Sequence, residues 1–226
     1  MVKVKKFKNG LIVSVGLLIL FVLWTIAVIY IDVKPIGPKS SAVGLAVINK
    51  YIHNLTGVHF TLYNITDWLG LIPFFIVLVF GLIGLIQWIK RKSILKVDFD
   101  ILLLGAFYIV TFAVYILFEY VVINRRPVLI NGILEASYPS STTMLVLCVI
   151  PTTVMQINSH FKNKFIKYFL FVILSSFMIF MVVGRLISGV HWFSDIIGGI
   201  LFSCGLVTLY HTINTYYTEQ KIQFSE

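Results

Sequence analysis

The chain has 226 residues, 59% of them hydrophobic and only 12% charged, with a mean hydropathy of +0.97. Soluble domains carry about 25% charged residues, so a water-soluble fold of this chain would leave large apolar patches bare; the bilayer is the expected solvent. The net charge of +9 is therefore read first against a membrane, and only then against nucleic acid.

Apolar runs of about 20 residues read as spanning helices. Six occur, at residues 11–30, 68–88, 101–122, 142–155, 168–186 and 193–211. The first follows Lys3, Lys5, Lys6 and Lys8 as a secretion signal would. It is too long for a signal's apolar region and no small-residue cleavage site follows, so a retained helix is expected. The next segment, 31–67, contains Pro35, Gly37, Pro38 and a semi-apolar stretch at 40–52. That stretch is either an interfacial helix on the outer surface or a plain connector. The fourth run is short if Pro151 ends it, and spans if a helix begins near Pro139 and passes through Pro151 with a kink. Trp68, Trp88 and Trp192 sit at run ends, as interfacial anchors do. Cys148 and Cys204 lie inside apolar runs and read as buried free thiols. The expected fold is all-α: a bundle of six transmembrane helices, with either that interfacial helix or a plain connector in the first outer loop. One membrane domain is expected over residues 1–226, its transmembrane core at about 11–212.

Charge orients the bundle. With six alternating helices, 12 of the 18 basic residues fall on one side, at the N-terminus, at Lys90, Arg91, Lys92 and Lys96, at Lys162, Lys164 and Lys167, and at Lys221. Positive-inside bias makes that side cytoplasmic, with both termini there. The expected location is the plasma membrane, multi-pass, and the excess charge reflects topology and anionic lipid. No soluble basic face exists for nucleic acid, which is not an expected partner.

Three polar segments meet on the opposite, outer side. The first, at the end of the third run, holds Glu119 and the adjacent Arg125, Arg126 and Pro127. Guanidinium forks there bind either phosphate or ordinary headgroups. The second, residues 138–143, leads into the fourth run; Ser140 or Ser141 either simply caps the helix or turns its free N–H groups toward an anion. The third contains Arg185, His191 and Asp195. His191 and Asp195, four apart, are expected to share a helix face. The carboxylate would then hold one ring nitrogen and leave the other as a nucleophile. Arg185 lies beyond an expected break at Ser188-Gly189, beside the imidazole but off its helix. Ionisable groups at a membrane boundary are functional candidates by default.

These residues resemble the type 2 phosphatidic acid phosphatase (PAP2) superfamily of integral-membrane lipid phosphatases. That family carries a lysine, six residues, then Arg-Pro; next Pro-Ser-Gly-His; next Ser-Arg, five residues, His, three residues, Asp. Arg126-Pro127 match the end of the first motif, Pro139-Ser140 the start of the second, and Arg185, His191 and Asp195 the third at full spacing. The motif region covers about 119–195. The resemblance implies that His191 attacks phosphorus, Asp195 orients it, and Arg126 and Arg185 hold phosphate oxygens, with Arg125 a weaker ligand. Backbone N–H groups around Ser140, Ser141 and Thr142 would complete the cradle.

The departures are Glu119 at the lysine position, Ser141 and Thr142 for Gly-His, and Gly184 for the serine before the arginine. In the family the second-motif histidine protonates the leaving group, so this chain lacks the usual acid. Three answers remain open. A lipid (polyprenyl) diphosphate expels a phosphate whose second pKa is about 6 and needs little protonation. Glu119 or Glu135 supplies the proton, although a salt bridge to Arg125 or Arg126 is the plainer role for Glu119. Or the protein is a pseudophosphatase that only binds lipid phosphates. A lipid headgroup phosphotransferase would share the same first step. The expected activity is thus phosphoric ester or anhydride hydrolysis, on a lipid phosphate or diphosphate in the bilayer. No cofactor is expected, and no metal, since guanidinium groups take the cation's role and no cluster has metal-ligand spacing.

Overall fold

A computed structural model describes residues 2–223. Its helices are α1 (Val2–Tyr30), α2 (Ala46–Thr56), α3 (Phe60–Leu69), α4 (Leu71–Arg91), α5 (Phe99–Tyr120), α6 (Ser141–His160), α7 (Lys164–Ile187) and α8 (Phe193–Gln223). Six stretches among the described residues are long and apolar enough to cross a membrane: Lys3–Tyr30, Phe60–Arg91, Phe99–Tyr120, Ser141–His160, Lys164–Ile187 and Phe193–Lys221. The all-α transmembrane bundle expected from composition is what the chain forms.

Two helix boundaries differ in an instructive way. The second span begins at Phe60, not Trp68, because α3 passes into α4 across Gly70, whose N–H bonds the Thr66 and Asp67 carbonyls at 3.0 Å each. The polar residues of α3 hid its continuity with the apolar run. The fourth span does not stop at Pro151: α6 runs through it to His160. The hydroxyls of Thr152 and Thr153 donate to the Cys148 and Val149 carbonyls at 2.8 and 2.7 Å, keeping polar groups paired around the proline.

Lipid offers helices no hydrophobic reason to associate, so close packing and interhelical hydrogen bonds carry the contacts. The α1–α8 pair shows both. The Ser14 hydroxyl donates to the Gly205 carbonyl at 2.9 Å, and a Cβ at Gly205 would collide with Leu18. Deeper in the bundle, Tyr108 meets Thr152 at 3.1 Å between α5 and α6, and Gln156 donates to Tyr210 at 2.8 Å between α6 and α8. Cys148 is buried here, as expected, but Cys204 faces outward, since it lies on the face of α8 turned away from this core.

Both ends of the described chain lie at one end of the bundle, where Lys6 pairs with Glu219 at 3.8 Å. The other end carries α2, the 121–140 loop and the α7–α8 turn. The stretch expected at 40–52 is indeed helical, shifted to α2, and is fixed to the start of α8. Buried Asn49 donates to the Gly44 carbonyl at 2.7 Å and to the Ser194 hydroxyl at 2.9 Å, and accepts from the Ser194 N–H at 2.9 Å. Trp192 is not an interfacial anchor: it is 3% exposed, and its indole N–H donates to the Arg125 carbonyl at 2.7 Å, as a buried indole must find a partner.

Asn49→Ala should strand the Ser194 N–H and the Gly44 carbonyl, at a cost of roughly 1–3 kcal/mol for each buried group left unpaired. Thermal unfolding in detergent should register a lower midpoint; an unchanged midpoint would mean that α2 is not held to α8 in this way.

Candidate active site

The α7–α8 turn is built around Gly189. Its φ of +67° is one that glycine alone adopts cheaply, and a Cβ there would run into the Gly57 carbonyl. The Ser188 carbonyl accepts from the His59 N–H at 3.0 Å, which locks the turn to the start of α3. Arg185 lies in the last turn of α7, while His191 sits in the turn and Asp195 in the first turn of α8.

The expected shared helix face is not what brings His191 and Asp195 together, because α8 begins only at Phe193. The Asp195 carboxylate turns back over the helix N-terminus and accepts from the Trp192 N–H at 2.9 Å. It stands 3.9 Å from His191 Nδ1, beyond hydrogen-bonding distance. Between the two lies Ser137. Its hydroxyl is 3.1 Å from Nδ1 and donates to Asp195 Oδ2, and its carbonyl is 3.2 Å from Nδ1.

The other ring nitrogen, Nε2, lies 3.3 Å from Arg185 Nη2. Guanidinium only donates, so Nε2 accepts and the ring proton sits on Nδ1, facing Ser137. Burial first, then the positive charges of Arg126 and Arg185, lower the His191 pKa well below its ordinary 6.5. The imidazole is neutral, with Nε2 turned toward the arginines.

The 121–140 loop explains why the two adjacent arginines part company. It doubles back through antiparallel bridges between Arg125 and Ala136 and between Ile130 and Ile133, around an Asn131-Gly132 turn with positive φ at both residues. Successive side chains of extended backbone point to opposite sides. Arg126 is accordingly buried, whereas Arg125 is exposed and donates to the Leu134 carbonyl at 2.9 Å. Arg125, expected as a weaker phosphate ligand, is not in the site. Nor does Ser140 face it: wholly buried, it caps α6 and donates its own N–H to the Asp195 carbonyl at 3.0 Å.

Arg126 and Arg185 converge on one cavity of about 420 Å³. Its walls also carry Tyr63, Asp67, Glu119, Glu135, Ser141 and Thr142. The Tyr63 ring lies 5.8 and 5.0 Å from the two guanidinium carbons. Arg185 Nη1 is 3.4 Å from both Thr66 Oγ1 and Asp67 Oδ1. Glu135 Oε2 is 3.0 Å from Arg126 Nε, but off the N–H direction, so that pair is ionic without a hydrogen bond. Buried N–H groups remain unpaired on both arginines, at Arg126 Nη1 and Arg185 Nε. Glu119 forms no salt bridge among the described residues; Glu135 takes the place expected for it beside Arg126. His191 does not line this cavity directly. It lines a pocket of about 10 Å³, room for roughly one water, which shares Tyr115, Glu119 and Ser141 with the larger one. Arg185 links the two, since it lines the cavity and its Nη2 meets the ring.

Ser137, Tyr63, Thr66 and Asp67 escaped the sequence reading. Asp67, a carboxylate at the edge of an apolar run, gave a usable signal. Ser137 gave none: it lies 54 positions from His191, with no spacing rule to connect them.

The PAP2 superfamily model matches residues 74–219 of this chain. Among solved structures, the fold is similar to that of the first transmembrane PAP2-type phosphatidylglycerolphosphate phosphatase from Bacillus subtilis. The TM-score is 0.62 and the identity 18%, over 91% of this chain and 96% of that one. Comparison with curated proteins finds no match.

Nitrogen NMR of the labelled protein in detergent should find His191 neutral and protonated on Nδ1 at pH about 6, where a free histidine is largely charged. A ring titrating near its ordinary value would contradict the burial and charge described above.

Proposed function

The chain belongs to the PAP2 superfamily, and on that footing we propose that it is a membrane lipid phosphatase working through a phosphohistidine at His191. One observation carries the reading: a neutral buried imidazole whose Nε2 meets Arg185, at the edge of a cavity where two arginines hold unsatisfied buried N–H groups. Unpaired buried donors are costly, and phosphate oxygens are the acceptors that guanidinium forks fit.

A lipid phosphate in the cavity takes the N–H groups of Arg126 and Arg185 and draws Arg185 Nη2 away from the ring. Nε2 then attacks phosphorus in line with the leaving oxygen, and the guanidinium groups stabilise charge on the equatorial oxygens. The ring becomes a phosphoimidazolium and keeps its Nδ1 proton. Water next forms the new P–O bond as P–Nε2 breaks, and the imidazole returns neutral. N–H groups and hydroxyls of Ser141 and Thr142, at the start of α6, complete the cradle. No step needs a metal.

Thr142 stands where the family's acid would be, and a hydroxyl of ordinary acidity cannot fill that role. Lipid diphosphates are therefore the favoured substrates. Glu119, which borders both pockets and carries no ion pair among the described residues, takes the proton of the water that displaces Nε2 from phosphorus; Glu135 is tied to Arg126. The positive-inside distribution supports a site that opens on the extracytoplasmic face of the plasma membrane.

Phosphate release by purified protein, with a polyprenyl diphosphate and phosphatidylglycerolphosphate side by side, tests this directly. Turnover should vanish in His191→Ala. The diphosphate should lead by about 10²–10⁴-fold, the usual worth of a general acid; equal rates would remove the leaving-group argument. Retained lipid-phosphate binding without turnover would make the protein a pseudophosphatase, and appearance of the phosphate on another lipid would make it a transferase. Glu119→Gln should slow breakdown of the phosphohistidine formed from either substrate, so that the phosphoenzyme accumulates, and an unchanged breakdown rate would take that role from Glu119.

A further inference from the structure

We infer that Ser137 is a positioning residue through which Asp195 acts on the His191 nucleophile, in place of the direct carboxylate–imidazole contact that the motif spacing implies. The inference rests on the phosphatase reading above.

Geometry excludes the direct contact. The carboxylate is 3.9 Å from Nδ1, while the Ser137 hydroxyl lies within hydrogen-bonding distance of both partners. Direction follows from the donors available. Asp195 is acceptor-only, so Ser137 gives it its single hydroxyl proton, and a lone pair is left to face the Nδ1 proton. The carbonyl of the same residue lies 3.2 Å from Nδ1, so the imidazole is held by backbone and side chain of one serine. The serine is itself fixed. Its N–H donates to the Asn124 carbonyl at 2.9 Å, and the Asn124 amide donates to Asp195 Oδ1 at 3.3 Å. Ser137, His191 and Asp195 are all buried, so this chain of bonds is shielded from competing water.

During attack, the bond from Nε2 to phosphorus forms and the bond to the leaving oxygen breaks. Positive charge spreads to Nδ1, whose proton stays in place and polarises the Ser137 hydroxyl toward Asp195. Ser137 keeps its own proton throughout. The serine thus fixes the tautomer that leaves Nε2 free and passes the carboxylate's charge to the ring, attenuated because the intermediary is neutral. It touches no substrate atom, so its effect belongs in kcat rather than in substrate affinity.

Ser137→Ala should lower kcat on a lipid diphosphate by about 10–100-fold, by analogy with the loss of a partner that orients a metal-bound histidine, with KM changed little. Nitrogen NMR should show the His191 Nδ1–H signal displaced, since its hydroxyl partner is lost while the backbone carbonyl and Arg185 still hold the tautomer. Ser137→Thr, which keeps the hydroxyl, should recover most of the rate. Ser137→Ala combined with Asp195→Asn should be no slower than the poorer single variant, since the two act in series. Should Ser137→Ala not fold, Ser137→Cys keeps the volume, bonds weakly and carries the same expectation. His191→Ala separates the two levels: turnover that survives it overturns the phosphatase reading. Turnover that needs His191 but proceeds at full rate, with an unchanged Nδ1–H signal, in Ser137→Ala or Ser137→Cys overturns the role of Ser137 alone. Additive losses in the double variant would likewise overturn it.

Discussion

The end of this bundle that carries the candidate site depends on keeping one buried carboxylate satisfied. Asp195 is wholly buried, and a charge without partners in such a place would be prohibitively costly. Its oxygens collect the Trp192 N–H, the Ser137 hydroxyl, the Asn124 amide and the Ser194 hydroxyl. Those donors come from the 121–140 loop and from the beginning of α8. Meeting the needs of one side chain therefore draws two distant stretches of chain together. The Asp195 carbonyl adds a third, by accepting from Ser140 at the cap of α6.

The imidazole inherits its state from this arrangement. Ser137 holds one face of the ring and Arg185 the other, so the tautomer is set before any substrate arrives. Burial first, and then Arg126 and Arg185, keep His191 neutral, and the same two arginines line the cavity, so part of what suppresses the ring's charge also attracts phosphate. Both arginines are partly countered, Arg185 by Asp67 and Arg126 by Glu135, which offsets the burial of two cations. The carboxylates leave donors over on each guanidinium, and those donors give the cavity its chemistry.

Neighbours in sequence took different parts for reasons of backbone geometry. Arg125 and Arg126 are indistinguishable by composition, yet the extended loop sends one outward and the other in. Ser140 and Ser141 are separated in the same manner by the first turn of α6. His191 and Asp195 carry the spacing of a helical pair, but the helix starts two residues too late to make them one. Trp192 resembles an interfacial anchor by position, and is instead the pin that fixes the Arg125 backbone behind the site.

The sequence by itself determined the solvent, the number of spans and the third motif, because each is written in local runs and spacings: hydropathy is set by the bilayer, and the Arg185–His191–Asp195 separation survives any packing of the helices. It also gathered the polar segments on one side of the bundle, through the alternation of spans. The tertiary structure alone decided that Ser137 stands between histidine and aspartate, that α3 contributes Tyr63, Thr66 and Asp67 around Arg185, and that Glu135 rather than Glu119 pairs with Arg126. Those outcomes join residues tens to more than a hundred positions apart. They follow from the need to pair buried polar groups across segments, a requirement that no single stretch of sequence records.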